Sequence, residues 1–394
     1  MLLSISSTLL FTAFICYLVA TLLFGGAVHG KKEQEKHSHL RFSKAAIVVS
    51  IIGFTANVGY FVTRWLYTGH APVSNMFEFT TAFGMCVVGA FLILYALYRV
   101  PSLGLIALPV AIIIIAYASM FPREVAPLIP ALKSYWLTIH VLTTVIGEAI
   151  LAISAFSGLI YLLKVIDVSK RSMERFWLEF ILYTLVVVIG FVVITSYFNA
   201  TGYEASYTYV DKEGESAAIT YHTPALIGMH QYDAQTTDAF EPLVEVPAWI
   251  NAKKLTTVIW SLLAGTVLYG ALRILLRKRL AAVLQPFVQK TTLPLLDEIS
   301  YRSVLIGFPV FTLGALIFAM IWAQEAWSRM WGWDPKEVWA LITWLYYAAF
   351  LHVRLSRGWE GKRSAWLAVL GFAIIMFNLI AVNLIIAGLH SYAE

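Results

Sequence analysis

The stretch WLTIHVLTTVIGEAILAISAFSGLIYLL, residues 136–163, carries His140 and Glu148 as its only imidazole or carboxyl groups and is otherwise apolar or hydroxyl-bearing. A helix rises 1.5 Å per residue, so about 20 such residues cross the roughly 30 Å of hydrocarbon in a bilayer. The run reads as a membrane-spanning helix. If it recurs, it decides the class of the whole chain.

It does recur. Comparable runs lie at 4–26, 45–67, 77–98, 104–121, 178–198, 255–276, 303–324, 337–353 and 366–389, which makes ten with the first. The one at 104–121 is short and flanked by proline. Only 13% of the 394 residues are charged and 60% are hydrophobic, whereas a soluble domain carries about a quarter charged residues. A membrane β-barrel would show short alternating segments instead. The expected fold is an all-α polytopic membrane protein of about ten transmembrane helices.

The loops alternate in charge. One set is basic: Lys31 to Lys44, Arg99, Lys164 to Arg175, Arg273 to Lys290, and Arg354 to Arg363. The other set, around 68–76, 122–135, 199–254, 325–336 and the tail after His390, is sparse in Lys and Arg. Lys and Arg accumulate in cytoplasmic loops, so ten spans put both termini on the extracytoplasmic side of a cytoplasmic membrane. The net charge of +5 follows from this topology, and no basic-aromatic module points to nucleic acid. The N-terminus lacks a basic leader and a clean cleavage site and reads as a retained first helix. Cys16 and Cys86 sit inside apolar runs without a CxxC or CxxCH, which excludes a thiol oxidoreductase and a c-type cytochrome.

Three segments follow. Residues 1–177 hold the first five helices with His70 and His140. Residues 178–276 add two helices around a polar extracytoplasmic insertion, 199–254. Residues 277–394 hold a tryptophan-rich core with His352 and His390. An amphipathic stretch at about 280–300 is expected along the cytoplasmic interface.

The densest chemical signal is Trp322-Ala323-Gln324-Glu325-Ala326-Trp327, then Trp331-Gly332-Trp333-Asp334-Pro335-Lys336-Glu337, then Trp339 and Trp344. Tryptophan favours headgroup depth, so an aromatic belt is the plain reading. A belt, however, spreads over all helix ends, and this cluster occupies one compact turn. An aromatic shelf beside fixed polar groups suits a large planar ligand with charged edges, with Lys336 or Arg329 available to carboxylates. Haem is such a ligand, and neutral imidazole is a common ligand of its iron. His140 lies about one turn inside the outer end of its helix, and His390 ends the last one in Gly388-Leu389-His390-Ser391-Tyr392. The topology brings both to the level of the tryptophans, as iron ligands or as packed polar residues. His352 follows Glu337 by 15 residues and is therefore about 22 Å deeper. It ligates a second haem or snorkels beside Arg354. His70, in the break Gly69-His70-Ala71-Pro72-Val73-Ser74-Asn75, positions or ligates. Among acids inside spans, Glu148 and Glu179 are costly there, and Glu148 falls two turns below His140 on roughly the same face.

These pieces, together with Trp136-Leu137-Thr138-Ile139-His140-Val141 and Leu351-His352-Val353-Arg354, resemble the CcsA/ResC family of system II cytochrome c biogenesis, within the WWD-motif haem-handling proteins. The resemblance runs from residue 69 to the C-terminus. It implies transport of haem b and presentation of reduced haem at an external site, for covalent attachment to the CxxCH motif of apocytochrome c. In that reading His140 and His390 hold the external iron, and His352 is a ligand within the membrane. His70, Trp322, Trp327, Trp331, Trp333, Asp334 and Trp339 complete the haem-binding set. Synthase (lyase-type) activity is implied only together with a CcsB/ResB-type membrane subunit. The alternative is a haem chaperone or exporter that loads another carrier. The helices and insertion of 178–276 exceed the roughly eight spans expected of the family.

Overall fold

The computed structural model describes residues 1–29, 36–125, 128, 133–210, 214–236, 239–247 and 250–382. His390, expected as an iron ligand, lies outside the described residues. Ten helices among these are long and apolar enough to cross a membrane. They are α1 (Leu2–His29), α2 (Lys36–Thr68), α3 (Met76–Tyr98), α4 (Pro101–Ala118), α5 (Tyr135–Val165), α6 (Met173–Thr201), α7 (Ala252–Leu276), the continuous helix Leu293–Trp327, α11 (Pro335–Arg357) and α12 (Lys362–Phe377). The continuous helix consists of α9 (Leu293–Phe311), a π-helical segment Thr312–Phe318 and α10 (Ala319–Trp327). A short α8 (Leu280–Leu284) precedes it. The chain is a multi-pass α-helical membrane protein.

The stretch expected to lie along the interface at 280–300 divides in two. Its first part is α8 and a 3₁₀ turn, Gln285–Val288, while Leu293 onward already belongs to a span. Pro294, at the first turn of α9, supplies the fixed φ that starts a helix without needing its missing N–H. Asp297 then anchors that end. It accepts both guanidinium nitrogens of Arg354 at 2.8 and 2.6 Å and the N–H of Gly361 at 3.0 Å.

Two compact units are present, residues 171–280 and the remainder. In the larger one α5 is the central element, packed against α3, α4, α9, the π segment, α10 and α12. Small residues let its neighbours approach. A Cβ on Gly147 would stand 2.6 Å from the Phe311 nitrogen, one on Gly158 2.8 Å from the Ala365 carbonyl oxygen, and one on Gly314 inside the backbone of Thr143 and Thr144. Helices in lipid gain most of their association from such close packing, because apolar burial drives little there.

In the smaller unit α6 and α7 cross at Gly190 and Gly265, where a Cβ on Gly190 would lie 2.7 Å from the Gly265 Cα. Glu179, costly in a span, accepts the Tyr269 hydroxyl at 2.8 Å and the Leu280 N–H at 2.9 Å. The polar insertion between the two helices folds as β structure. β1 (Ala205–Val210) pairs antiparallel with β2 (Ser216–Tyr221) and β4 (Asp233–Ala234), while β3 (Ile227–Met229) runs parallel to β5 (Val244–Val246). Tyr207 and Tyr221 fill its small core and satisfy their hydroxyls on the carbonyls of Phe240 (2.6 Å) and Ile227 (3.0 Å).

Candidate functional site

A cleft in the larger unit encloses about 1170 Å³ of empty space, its open mouth included. Four sequence-distant stretches form it: the Val73–Met76 turn with Phe79, the first half of α5, the π segment with α10, the turn after it and the start of α11, and Asn378 and Leu379 just past α12. His140, Trp322, Trp327, Trp331, Lys336, Glu148 and Asn378 are among its walls.

His140 is fixed from two sides. Its ring lies parallel to the indole of Trp322, with centroids 5.7 Å apart and planes 12° apart. Its Nδ1 is 2.9 Å from the Gly314 carbonyl oxygen. A carbonyl only accepts, so Nδ1 carries the hydrogen and the lone pair of the neutral ring is on Nε2. A carbonyl partner of this kind fixes tautomer and ring orientation in metal-ligating histidines. The partner exists because the π turn at 312–318 breaks the regular ladder and because Gly314 lets the two backbones meet. Trp327 stands edge-on to Trp322 at 4.8 Å.

The turn after α10 is held by unusual backbone. Ser328 (φ 56°) and Trp333 (φ 57°) adopt the left-handed region, which non-glycine residues rarely enter. Asp334 is the N-cap of α11 in a reciprocal capping box: its carboxylate accepts the Lys336 N–H at 3.3 Å, and Glu337 accepts the N–H groups of Asp334 (3.2 Å) and Gly332 (2.7 Å). Pro335 opens the helix. The acidic members of the motif therefore shape the turn that carries the indoles.

The expected site residues separate accordingly. His140, Trp322, Trp327 and Trp331 share the cleft. Trp333 is 70% exposed, edge-on to Trp331 at 5.9 Å, and is not part of the cleft wall. Trp339 packs on Phe377 at 4.4 Å, and Asp334 is buried in its cap. His70 is half-buried, with Nδ1 3.1 Å from the Ala71 carbonyl oxygen, outside the cleft wall. His352 is exposed on α11, far down that helix from the cleft.

Sequence reasoning did not anticipate the support beneath the Val73–Met76 turn. Arg64 and Glu78 form a buried ion pair at 2.7 Å, their side chains 3% and 1% exposed. Glu78 also accepts the N–H (3.0 Å) and hydroxyl (2.7 Å) of Ser74, and Arg64 donates to the Arg123 carbonyl at 3.0 Å. Asn75 caps α3 through the Glu78 N–H. The available signal was an Arg and a Glu inside two spans joined by a short loop, a costly pair unless they meet.

The family profile described as Cytochrome C assembly protein matches residues 254–390, which include the tryptophan block. The chain is 30% identical over 384 residues to the cytochrome c biogenesis protein CcsA of Gloeobacter violaceus, covering 96% of this chain and 94% of that protein. It is 33% identical over 337 residues to CcsA of Nostoc punctiforme, with 84% and 82% covered, and 30% identical over 354 residues to CcsA of Pyropia yezoensis, with 88% and 86% covered. With the likeness spanning nearly the whole length, this chain belongs to the CcsA family of cytochrome c biogenesis proteins.

Proposed function

We propose that the chain carries haem b through or along the bacterial cytoplasmic membrane and presents it, reduced, in the tryptophan-lined cleft on the extracytoplasmic face, where apocytochrome c receives it. The observation that carries this reading is His140 itself: its Nδ1 is spent on Gly314, its ring is clamped against Trp322, and it lines the tryptophan-walled cleft. His140 Nε2 is the first axial ligand and His390 the second. Trp322, parallel to the His140 ring, buttresses it and meets the macrocycle edge-on; Trp327 and Trp331 border the porphyrin, and Trp333 stands at the rim where the apocytochrome arrives. The vinyl edge is left open. Each thiol then adds across a vinyl double bond, sulfur bonding to one carbon and the proton ending on the other. Orientation and proximity supply most of what such an addition needs, so no acid–base pair is assigned.

His352 points out of the helix bundle within the membrane, where an unpaired imidazole is expensive. A CcsB/ResB-type subunit covering α11 completes an inner haem site there, and attachment activity belongs to the two subunits together.

The test is the absorption spectrum of the full chain purified with whatever membrane subunit accompanies it. A bis-imidazole haem spectrum is expected. A His140→Gly, His390→Gly double substitution removes the external site's share of that spectrum and leaves at most the inner site's, and added imidazole restores the external share in either single variant. A complex without haem, or a double variant with an unchanged spectrum, refutes the reading.

A further inference from the structure

Glu148 has no place in this scheme so far. It is 8% exposed, lines the cleft, and has no hydrogen bond or ion pair to any described residue. An acid in the middle of a span with no partner in the protein is costly. The other acids inside spans show the contrast: Glu78 meets Arg64, and Glu179 meets Tyr269 and Leu280.

Its position is informative. Eight residues on from His140 along α5 place the Glu148 Cα about 12 Å deeper, and helical side chains lean back toward the N-terminus. The carboxyl thus comes to the inner periphery of a macrocycle whose iron is held by His140. Tyr347 is fully buried, and its hydroxyl, within electrostatic reach of Glu148 but not hydrogen-bonded to it, has no hydrogen-bond partner among the described residues.

Haem b carries its two vinyl groups and its two propionates on opposite sides of the ring. If thiols reach the vinyls from the mouth, a propionate is driven to the floor, where Glu148 is found, the one carboxyl of the cleft wall besides the capping Glu337 among the described residues. We propose that Glu148 is the seat of one haem propionate, the two carboxyl groups sharing a proton, so that the macrocycle enters carboxylate edge first and leaves its vinyls at the mouth. Two carboxyl groups in contact hold one proton between them, as catalytic dyads do. Glu148 is then a positioning residue that sets which way round the ring is offered. This rests on the haem reading above.

The experiment compares three ligands on the purified full-chain complex: haem, haem dimethyl ester with both propionates capped, and deuterohaem with the vinyls replaced by hydrogen. Wild type should bind haem about tenfold tighter than the ester, the scale of one buried hydrogen bond to a charged group, and bind deuterohaem like haem. Glu148→Ala should lose the preference and still give a bis-imidazole spectrum with the ester, which reports an intact cleft. Glu148→Gln, of similar volume and still a donor, should keep it. A preference unchanged in Glu148→Ala, lost in Glu148→Gln, or lost instead in Lys336→Ala, overturns the assignment while leaving the haem site standing. A wild-type complex that binds none of the three removes the haem reading itself.

Discussion

Gly314→Ala is the smallest change that tests how His140 is aimed. The added methyl falls inside the backbone of Thr143 and Thr144, so α5 and the π segment must separate. Overpacking of this kind costs about 1–3 kcal/mol. Separation also lengthens the 2.9 Å bond from His140 Nδ1 to the Gly314 carbonyl, worth about 1 kcal/mol. Together about 2–4 kcal/mol falls on the population of the binding-competent cleft. Since apparent affinity scales with that population, haem binding should weaken about 30- to 1000-fold. Titration of haem into the purified complex, followed in the Soret band, measures it. Imidazole should not rescue this variant, because the ligand is displaced rather than absent. Gly270→Ala is the control: a Cβ there meets nothing within 4 Å, and a helical glycine replaced by alanine gains about 0.5–1 kcal/mol. Wild-type affinity in Gly314→Ala would refute the idea that the π segment orients the imidazole.

Three further outcomes are expected. Glu78→Ala strands the buried Arg64 charge and should cost about 3–5 kcal/mol in thermal unfolding of the detergent-solubilised protein, whereas Arg64→Met with Glu78→Leu together should cost much less. Trp333→Gly relieves a left-handed backbone of about 1 kcal/mol, so stability should hold or rise while apocytochrome attachment falls; an unchanged attachment rate would remove Trp333 from the rim. In the β insertion, burial pushes the Tyr207 hydroxyl from its ordinary 10.0 up to about 12, so its neutral form stabilises the folded state below pH 10 and that contribution is lost as pH rises toward 12; tyrosinate absorbance and amide exchange in residues 205–221 should change together over that window.

The ten spans were readable because membrane crossing imposes a length and a composition that no soluble segment shares. The insertion was readable only as polar, since its strands are short and its core rests on a few tyrosines that meet through pairing across distant turns. The cleft was half readable. Histidines and tryptophans announce themselves by their cost or rarity in a span, and topology alone sorts them by depth. What topology omits is azimuth. Trp331 and Trp333 are two residues apart, yet a left-handed backbone at Trp333 and an acidic cap behind it turn one ring into the cleft and the other out. Likewise, the run Phe311-Thr312-Leu313-Gly314 does not by itself signal that the ladder will widen into a π turn there, nor that Gly314 will meet the backbone of Thr143 and Thr144, some 170 residues earlier in the chain.

That omission bears directly on chemistry. His140 and His352 are both imidazoles on apolar helices, and by composition nothing distinguishes them. The fold does. His140 has a carbonyl on one nitrogen and an indole on one face, while His352 is offered outward from the bundle on the exposed stripe of Ile342, Leu345 and Ala349. A ligand-ready ring needs its second nitrogen committed and its rotation stopped. Of these two, His140 alone has both among the described residues. The same logic separates the acids: Glu78, Glu179 and Glu337 each answer to a neighbouring donor and hold structure, whereas Glu148 answers to none among the described residues and borders the open cleft. In a membrane protein the polar group whose cost is left uncompensated by the protein is the one whose partner arrives from outside it.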